Sequence, residues 1–294
     1  MCGIAGFVND MPIDVKCPVL QRMTDMIAHR GPDSEGHYID EHAALGHRRL
    51  SIIDLGGGQQ PIYNEDGSKV ITFNGEIYNY QTLREELIAA GHTFTTKSDT
   101  EVLLHGYEQW GVDLLQRVRG MFTFVIWDKN KQELFGARDH FGIKPFYYAK
   151  MNGTFMYASE IKSLLRHPDF VKELNAEALK PYMTFQYPAI GETFFKGVYK
   201  LPEGHYFTYR DGKMDIHRYY DEDFREGKQK LGELVNSIDQ TVCDSVKAHQ
   251  IADVEVGSFL SSGVDSSYVA AVARPQHTYS IGFGKGTYNE SQQA

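Results

Sequence analysis

The chain opens Met1-Cys2-Gly3-Ile4-Ala5-Gly6-Phe7. Removal of Met1 leaves a cysteine whose thiol and α-amino group share one residue, so nucleophile and general base come together without a separate histidine. An α-amine titrates near ~8, close enough to neutrality to exchange a proton with the thiol. Gly3 and Ala5 are small, and are expected to let a substrate approach the backbone closely. A cysteine at position 2 is, taken alone, most often an ordinary residue; the stretch acquires its meaning from the motifs downstream of it.

Four further stretches occur in order: His29-Arg30-Gly31-Pro32-Asp33, Gly46-His47-Arg48-Arg49-Leu50-Ser51-Ile52-Ile53-Asp54, Phe73-Asn74-Gly75-Glu76-Ile77-Tyr78-Asn79 and Ser98-Asp99-Thr100-Glu101. Together with the opening, they resemble the glutaminase domain of the class II, N-terminal nucleophile amidotransferases. The form His29-Arg30-Gly31-Pro32-Asp33 is more similar to the glutamine-hydrolysing asparagine synthetases than to the glucosamine-phosphate or purine branches. The resemblance covers roughly the first two hundred residues and the tail behind them.

Glutamine hydrolysis needs a thiolate, a base, donors to an oxyanion and a grip on the amino-acid head group. Cys2 and its α-amine supply the first two. Asn74 can donate from its side-chain amide and Gly75 from its backbone N–H, each such donor lowering the barrier by roughly 3 kcal/mol. The resemblance implies Arg49 as the clamp on the glutamine carboxylate, since its planar fork matches a carboxylate bidentately. It also implies Asp99 and Glu76 beside the substrate ammonium, with backbone groups of Leu50, Ile52 and Gly75 as neighbours. Each residue has a plainer reading. Asn74-Gly75 is a hairpin-turn dipeptide, Asp99 an acid loading a helix N-terminus, Arg48 and Arg49 surface charges, Glu76 a solvated strand residue. Their occurrence together, in order and behind Cys2, favours the glutaminase. His29, Arg30 and Asp33 are assigned to loop architecture.

With 294 residues the chain is long enough for two domains, and 41% hydrophobic residues provide for a sizeable core. A net charge of −9 without a basic run excludes a general nucleic-acid binder. No apolar run approaches ~18 residues, so no membrane association is expected. Cys2, Cys17 and Cys243 form neither a disulfide framework nor a zinc pattern, which fits a reducing, cytoplasmic setting.

Val19 to Ile27 follow a helical period ending near Gly31. Val70-Ile71-Thr72-Phe73 reads as a strand running into Asn74-Gly75. Thr82-Leu83-Arg84-Glu85 and Ser98-Asp99-Thr100-Glu101 read as capping boxes, opening helices that stop at Gly91 and near Gly111. Met121 to Trp127, Glu133 to Arg138, Phe146 to Ala149, Thr154 to Ala158 and Tyr206 to Tyr209 read as strands. The pattern suggests an α+β sandwich of two mainly antiparallel sheets with helices packed on them. The resemblance implies the four-layer αββα N-terminal nucleophile sandwich. The polar stretch Asp221–Lys230 marks a boundary, giving a glutaminase domain over 2–220 and a second domain over 221–294. Beyond it, Leu231–Gln250 has helical spacing and Val254–Leu260 reads as a buried strand.

Behind that strand comes Phe259-Leu260-Ser261-Ser262-Gly263-Val264-Asp265-Ser266-Ser267. Small residues at a strand-to-helix turn leave backbone N–H groups to cradle phosphate. A Ser-rich helix cap is the plainer reading. The stretch resembles the pyrophosphate loop of ATP pyrophosphatases, with Ser262 where the commoner form has a second glycine. The resemblance implies the start of an α/β ATP-pyrophosphatase-type domain. In it Ser261, Gly263, Asp265, Ser266 and Ser267 hold phosphate, Asp265 sits near magnesium, Leu260 and Ile281 line the adenine pocket, and Tyr279–Phe283 is the next parallel strand. It further implies ATP with Mg as substrate and no prosthetic group. L-Glutamine, L-aspartate and ATP are the small-molecule partners, and ammonia is channelled to an adenylated aspartate. The chain ends at Ala294, early in that domain, so a fragment of a longer enzyme is expected; a homodimer is one open oligomeric state. The rival readings are an amidotransferase with a different acceptor and a glutamine-binding protein without turnover.

Overall fold

The computed structural model describes residues 1–187 and 190–282. The chain divides into two compact units, Met1–Glu222 and Asp223–Ala294. In chain order the first unit contains β1 (Gly3–Val8), α1 (Ile13–Asp25), β2 (Ser34–Ile39), β3 (Ala43–Arg49), β4 (Ile62–Tyr63), β5 (Lys69–Ile77), α2 (Tyr80–Ala89), α3 (Asp99–Trp110) and β6 (Gly120–Asp128). It continues with β7 (Glu133–Arg138), β8 (Tyr147–Met151), β9 (Thr154–Ala158), α4 (Ile161–Leu164), α5 (Leu179–Phe185), β10 (Val198–Lys200), β11 (His205–Arg210) and β12 (Lys213–Arg218).

These strands form two six-stranded sheets, ordered β10-β8-β9-β1-β3-β2 and β12-β11-β7-β6-β5-β4. Neighbouring strands in both are antiparallel. Because side chains alternate across a strand, β1 serves two cores. Ile4 points between the sheets, where it joins Leu45, Phe155 and Tyr157 from its own sheet and Val125, Trp127 and Phe207 from the other. Ala5 and Phe7 point the opposite way, onto Leu20 and Met23 of α1 and Leu164 of α4. On the far face of the second sheet Tyr107 of α3 stacks on Phe135 of β7, ring centroids 4.6 Å apart. The order helix, sheet, sheet, helix is the αββα layering that the family resemblance implies. The central strand β6 is buried through most of its length, which is why it reads as a nearly continuous apolar run.

Several local expectations need correction. Asn74-Gly75 is no turn: β5 continues through both to Ile77, with Asn74 opposite Thr123 and Gly75 opposite Phe122 of β6. A Cβ on Gly75 would lie 2.2 Å from the Met121 carbonyl oxygen, so the neighbouring strand, rather than a substrate, demands the glycine here. Gly3 and Ala5 likewise serve packing. A Cβ on Gly3 would lie 3.0 Å from Ile27, and Ala5 is fully buried. Thr82 caps nothing, since α2 already starts at Tyr80; the side chain of Asn79 before it ties the approach to β6 by accepting from Arg119 N (2.9 Å) and donating to Arg117 O (2.9 Å). Ser98 does cap α3, its Oγ accepting from Thr100 N at 3.2 Å. Glu101 does not complete that box; its carboxylate instead takes the backbone N–H groups and hydroxyls of Thr95 and Thr96. The first helix starts earlier than its period suggested and stops at Asp25, with a separate 3-10 turn over Ala28–Arg30.

The second unit contains α6 (Leu231–Ala248), β13 (Ser258–Phe259), α7 (Val264–Ala273) and β14 (Thr278–Tyr279). Strands β13 and β14 pair in parallel, joined through α7. The buried strand expected over Val254–Leu260 shrinks to two residues, and Phe259 is 78% exposed. Among the described residues no further strand or helix covers it, and burial is what an apolar run of that kind needs. The expected strand Tyr279–Phe283 is seen only at Tyr279, and Phe283 lies outside the described residues.

Candidate active site

Cys2 immediately precedes β1, and the β1–β3 register sets Gly3 opposite Arg48. That register carries the Cys2 side chain to Leu50. Its Sγ donates to the Leu50 carbonyl oxygen at 3.4 Å and accepts from the Leu50 N–H at 3.3 Å. Burial pushes the thiol pKa up, while the Leu50 backbone hydrogen bond pulls against it. The backbone around the cysteine is fixed from two sides: Arg30 Nε donates to the Cys2 carbonyl at 2.9 Å, and Ile4 N donates to Ser159 Oγ at 3.0 Å.

A cleft opens over this thiol. All the residues expected around glutamine line it: Cys2, Arg49, Leu50, Ile52, Asn74, Gly75, Glu76 and Asp99. Asn74 is 1% exposed, and neither its side-chain nitrogen nor its side-chain oxygen has a hydrogen-bond partner within the protein. An unmet buried polar group costs about 1–3 kcal/mol, so an amide left this way is arranged for something the chain does not itself supply.

Asp99 is the first residue of α3. Its carboxylate accepts from Ile77 N (3.0 Å) and Ser98 Oγ (3.3 Å). Burial raises its pKa to about 7; the Ile77 N–H opposes that rise and the charge of Glu76 adds to it. Arg49, 5% exposed, donates to the carbonyl oxygens of Ile53 (3.1 Å), Asp54 (2.6 Å) and Leu55 (3.3 Å). Part of its fork therefore braces the loop behind β3, leaving fewer N–H groups for a carboxylate than a bare guanidinium offers. Arg48 turns outward and pairs with Asp25 and Glu35, the surface role read from the sequence.

Three contributors were missed in the sequence. Lys144 lines the cleft at 3% exposure, its Nζ 3.1 Å from the Met1 sulfur, and burial lowers its pKa. A lysine is seldom this buried without a role, and its place in the apolar run Phe141 to Tyr148 was a usable signal. Gln60 joins the sheet to α3, accepting from Phe73 N (2.6 Å) and donating to Thr100 Oγ1 (3.2 Å). Arg30, read as loop architecture, touches the cysteine backbone itself; His29 and Asp33 do hold loops, on Glu160 (2.9 Å) and Ser51 N (2.8 Å). Met1 also lines the cleft and is bonded to the nitrogen that would otherwise be the α-amine of Cys2.

In the second unit, Leu260 to Gly263 link β13 to α7. The hydroxyls of Ser261 and Ser266 lie 2.8 Å apart, Gly263 N donates to Ser261 Oγ (3.2 Å), and Ser267 Oγ donates to Gly263 O (2.9 Å). Asp265 sits in the first turn of α7. Leu260 N donates to Tyr279 O at 2.9 Å, and Ile281 comes two residues later, 70% exposed. The residues expected around ATP thus gather at one end of the parallel pair.

Residues 1–220 match the family model described as glutamine amidotransferase domain, and residues 237–294 that described as asparagine synthase. Asparagine synthetase [glutamine-hydrolyzing] 1 of Bacillus subtilis (strain 168) is 44% identical over 298 residues, covering 99% of this chain and 47% of that protein. Amidase chry2 of Gibberella zeae is 35% identical over 295 residues, covering 92% of this chain and 42% of that protein. The chain spans about half the length of these relatives. Among solved structures, glutamine phosphoribosylpyrophosphate amidotransferase from B. subtilis, complexed with ADP and GMP, superimposes with a TM-score of 0.56. The identity there is 18%, with 98% of this chain and 67% of that chain covered. At that identity the likeness speaks for the fold, and it agrees with the two-sheet nucleophile sandwich described above. No helix among the described residues is long and apolar enough to cross a membrane.

Proposed function

The chain belongs to the glutamine amidotransferase domain family, and on that premise we propose that its first unit hydrolyses L-glutamine to L-glutamate and ammonia with Cys2 as nucleophile. The observation that carries the proposal is a cysteine thiol held against Leu50 in the same cleft as the unpartnered amide of Asn74. Burial keeps the thiol protonated at rest, so it needs a base beside it. Loss of Met1 supplies one, the α-amine of Cys2. The amine takes the thiol proton and the sulfur attacks the side-chain carbonyl carbon of glutamine. Asn74 Nδ2 and Gly75 N–H receive the oxyanion. The α-ammonium returns its proton to the amide nitrogen, the C–N bond breaks and ammonia leaves. Water then cleaves the thioester to glutamate and the free thiol. The N–H groups of Arg49 not bonded to the loop hold the substrate carboxylate, and Asp99 and Glu76 hold its ammonium.

We assign the loop of the second unit to ATP. The first-turn N–H groups of α7 and the hydroxyls of Ser261, Ser266 and Ser267 suit the pyrophosphate. Asp265 suits a magnesium ion, which binds through one or two carboxylates together with substrate phosphates. In the proposed reaction an aspartate side-chain carboxylate attacks the α-phosphorus of ATP and pyrophosphate leaves. Ammonia then attacks the acyl carbon and AMP leaves, giving asparagine. The asparagine synthase match and the bacillar relative support this acceptor. The fungal relative, named an amidase, supports the second reading, in which the acceptor differs. The reducing cytoplasm, where Cys2 stays a thiol, is the compartment we assign.

The test is a glutamine analogue bearing an electrophile in place of the amide. It should add its mass to Cys2, be excluded by excess L-glutamine, and leave Cys17 and Cys243 unmodified. Labelling of another residue, or labelling that glutamine does not block, contradicts the assignment.

A further inference from the structure

Away from the cleft, four side chains converge on the C-terminal half of α3. Glu65 comes from the turn between β4 and β5, His92 from the loop between α2 and α3, and His105 and Glu108 from α3 itself. One ligand atom from each lies within 4.8 Å of all the others. Glu65 Oε1 lies 3.4 Å from His92 Nδ1, Glu65 Oε2 3.4 Å from His105 Nδ1, and Glu108 Oε2 3.2 Å from His105 Nδ1. A tetrahedral ion with bonds of 2.0–2.2 Å sets its ligand atoms about 3.3–3.6 Å apart, and these three contacts, which involve both oxygens of Glu65, are of that order.

The surroundings orient the same atoms. Both histidines present Nδ1 to the cluster; His92 Nε2 lies 3.2 Å from Gln109 Oε1, while His105 Nε2 is buried 3.5 Å from Glu101 Oε1 without a hydrogen-bond partner. For His92 that arrangement favours the tautomer with a lone pair facing inward, the usual supporting pattern for metal-bound imidazole. Glu108 gives its other oxygen to Asn64 Nδ2 (2.7 Å), leaving Oε2 for the cluster. His105 has a side chain 1% exposed among these carboxylates, and Lys69 Nζ lies 3.4 Å from Glu108 Oε1 beside them.

We propose that Glu65, His92, His105 and Glu108 bind one divalent cation of the zinc type, clasping α3 to the β4–β5 turn and to the loop before it. Two neutral imidazoles and two carboxylates balance the charge of such an ion, and mixed nitrogen and oxygen donors in tetrahedral array suit zinc better than magnesium or calcium. The N-terminus of α3 carries Asp99, so the clasp steadies the element that lines the cleft. The rival arrangement, a protonated His105 held by carboxylates alone, takes up no ion.

The test uses the full chain in a Cys2→Ala background, stripped with chelator and then titrated with Zn²⁺ and with Co²⁺. One zinc per chain is expected. Cobalt should show visible absorption of tetrahedral intensity without a thiolate charge-transfer band, which separates this site from cysteine binding. His92→Ala and Glu65→Gln should abolish stoichiometric uptake while leaving the far-UV circular dichroism unchanged. Gln109→Ala, which removes only the supporting acceptor, should weaken binding about 10–100-fold. Zinc should raise the melting temperature of the parent and not that of His92→Ala. Absence of stoichiometric zinc, or equal affinity in His92→Ala and Glu65→Gln, overturns the proposal.

Discussion

The chemistry rests on a few side chains whose surroundings set their protonation and their free hydrogen-bonding capacity. Asn74 is positioned by β5 yet its amide is bonded to nothing, which suits a donor whose partner exists only while a substrate oxygen carries charge. Asn74→Ala should therefore lower kcat by about 10²–10³-fold with little change in KM, measured by glutamate release. Asp99 gives a pH signature. Its folded-state pKa, about 7, lies above the ordinary 3.8. The unfolded chain thus releases this proton first, and the group's contribution to stability is lost as pH climbs from about 4 through 7. A bound substrate ammonium favours the carboxylate, so glutamine affinity should rise with pH up to about 7 and binding should release a proton. Calorimetry in buffers of differing ionisation heat should show that proton, and Asp99→Asn should abolish it.

The elements show which parts of this arrangement could be read from the chain. Ser98 is a capping serine in both the sequence and the structure, and it fixes the turn that presents Asp99. Ser98→Ala should cost about 1 kcal/mol in urea unfolding and raise KM for glutamine. The motifs Cys2, Arg49, Asn74-Gly75 and Asp99 were legible because each is compact in sequence and ordered along the chain. Their convergence was not, since it depends on β1 pairing with β3 and on β5 running on to Ile77. The plain turn reading of Asn74-Gly75 fails because an adjacent strand can require glycine as firmly as a turn does. Gln60 is turned inward by tertiary packing alone, whereas the apolar run around Lys144 did signal its burial. The Glu65, His92, His105 and Glu108 cluster is not legible in the chain because its side chains come from three separate segments.

Across the full length of the chain, two compact units are joined by residues 221–230, which are exposed and carry neither helix nor strand. Limited trypsin digestion should cut first at Arg225, Lys228 or Lys230 and release a resistant N-terminal fragment, identified by intact mass. The second unit leaves Leu231, Phe259 and Val264 largely exposed, so its αβ layer is not closed by the described residues. The residues proposed for glutamine hydrolysis all lie in the first unit, so that is the activity to measure on this chain. The decisive assay is glutamate release from L-glutamine by two samples of the full chain, one with Met1 removed and one with Met1 retained, as verified by intact mass. Turnover is expected only in the processed sample, and it should be lost on Cys2→Ala. Equal turnover with Met1 retained, or turnover that survives Cys2→Ala, would contradict Cys2 and its α-amine as the nucleophile and base.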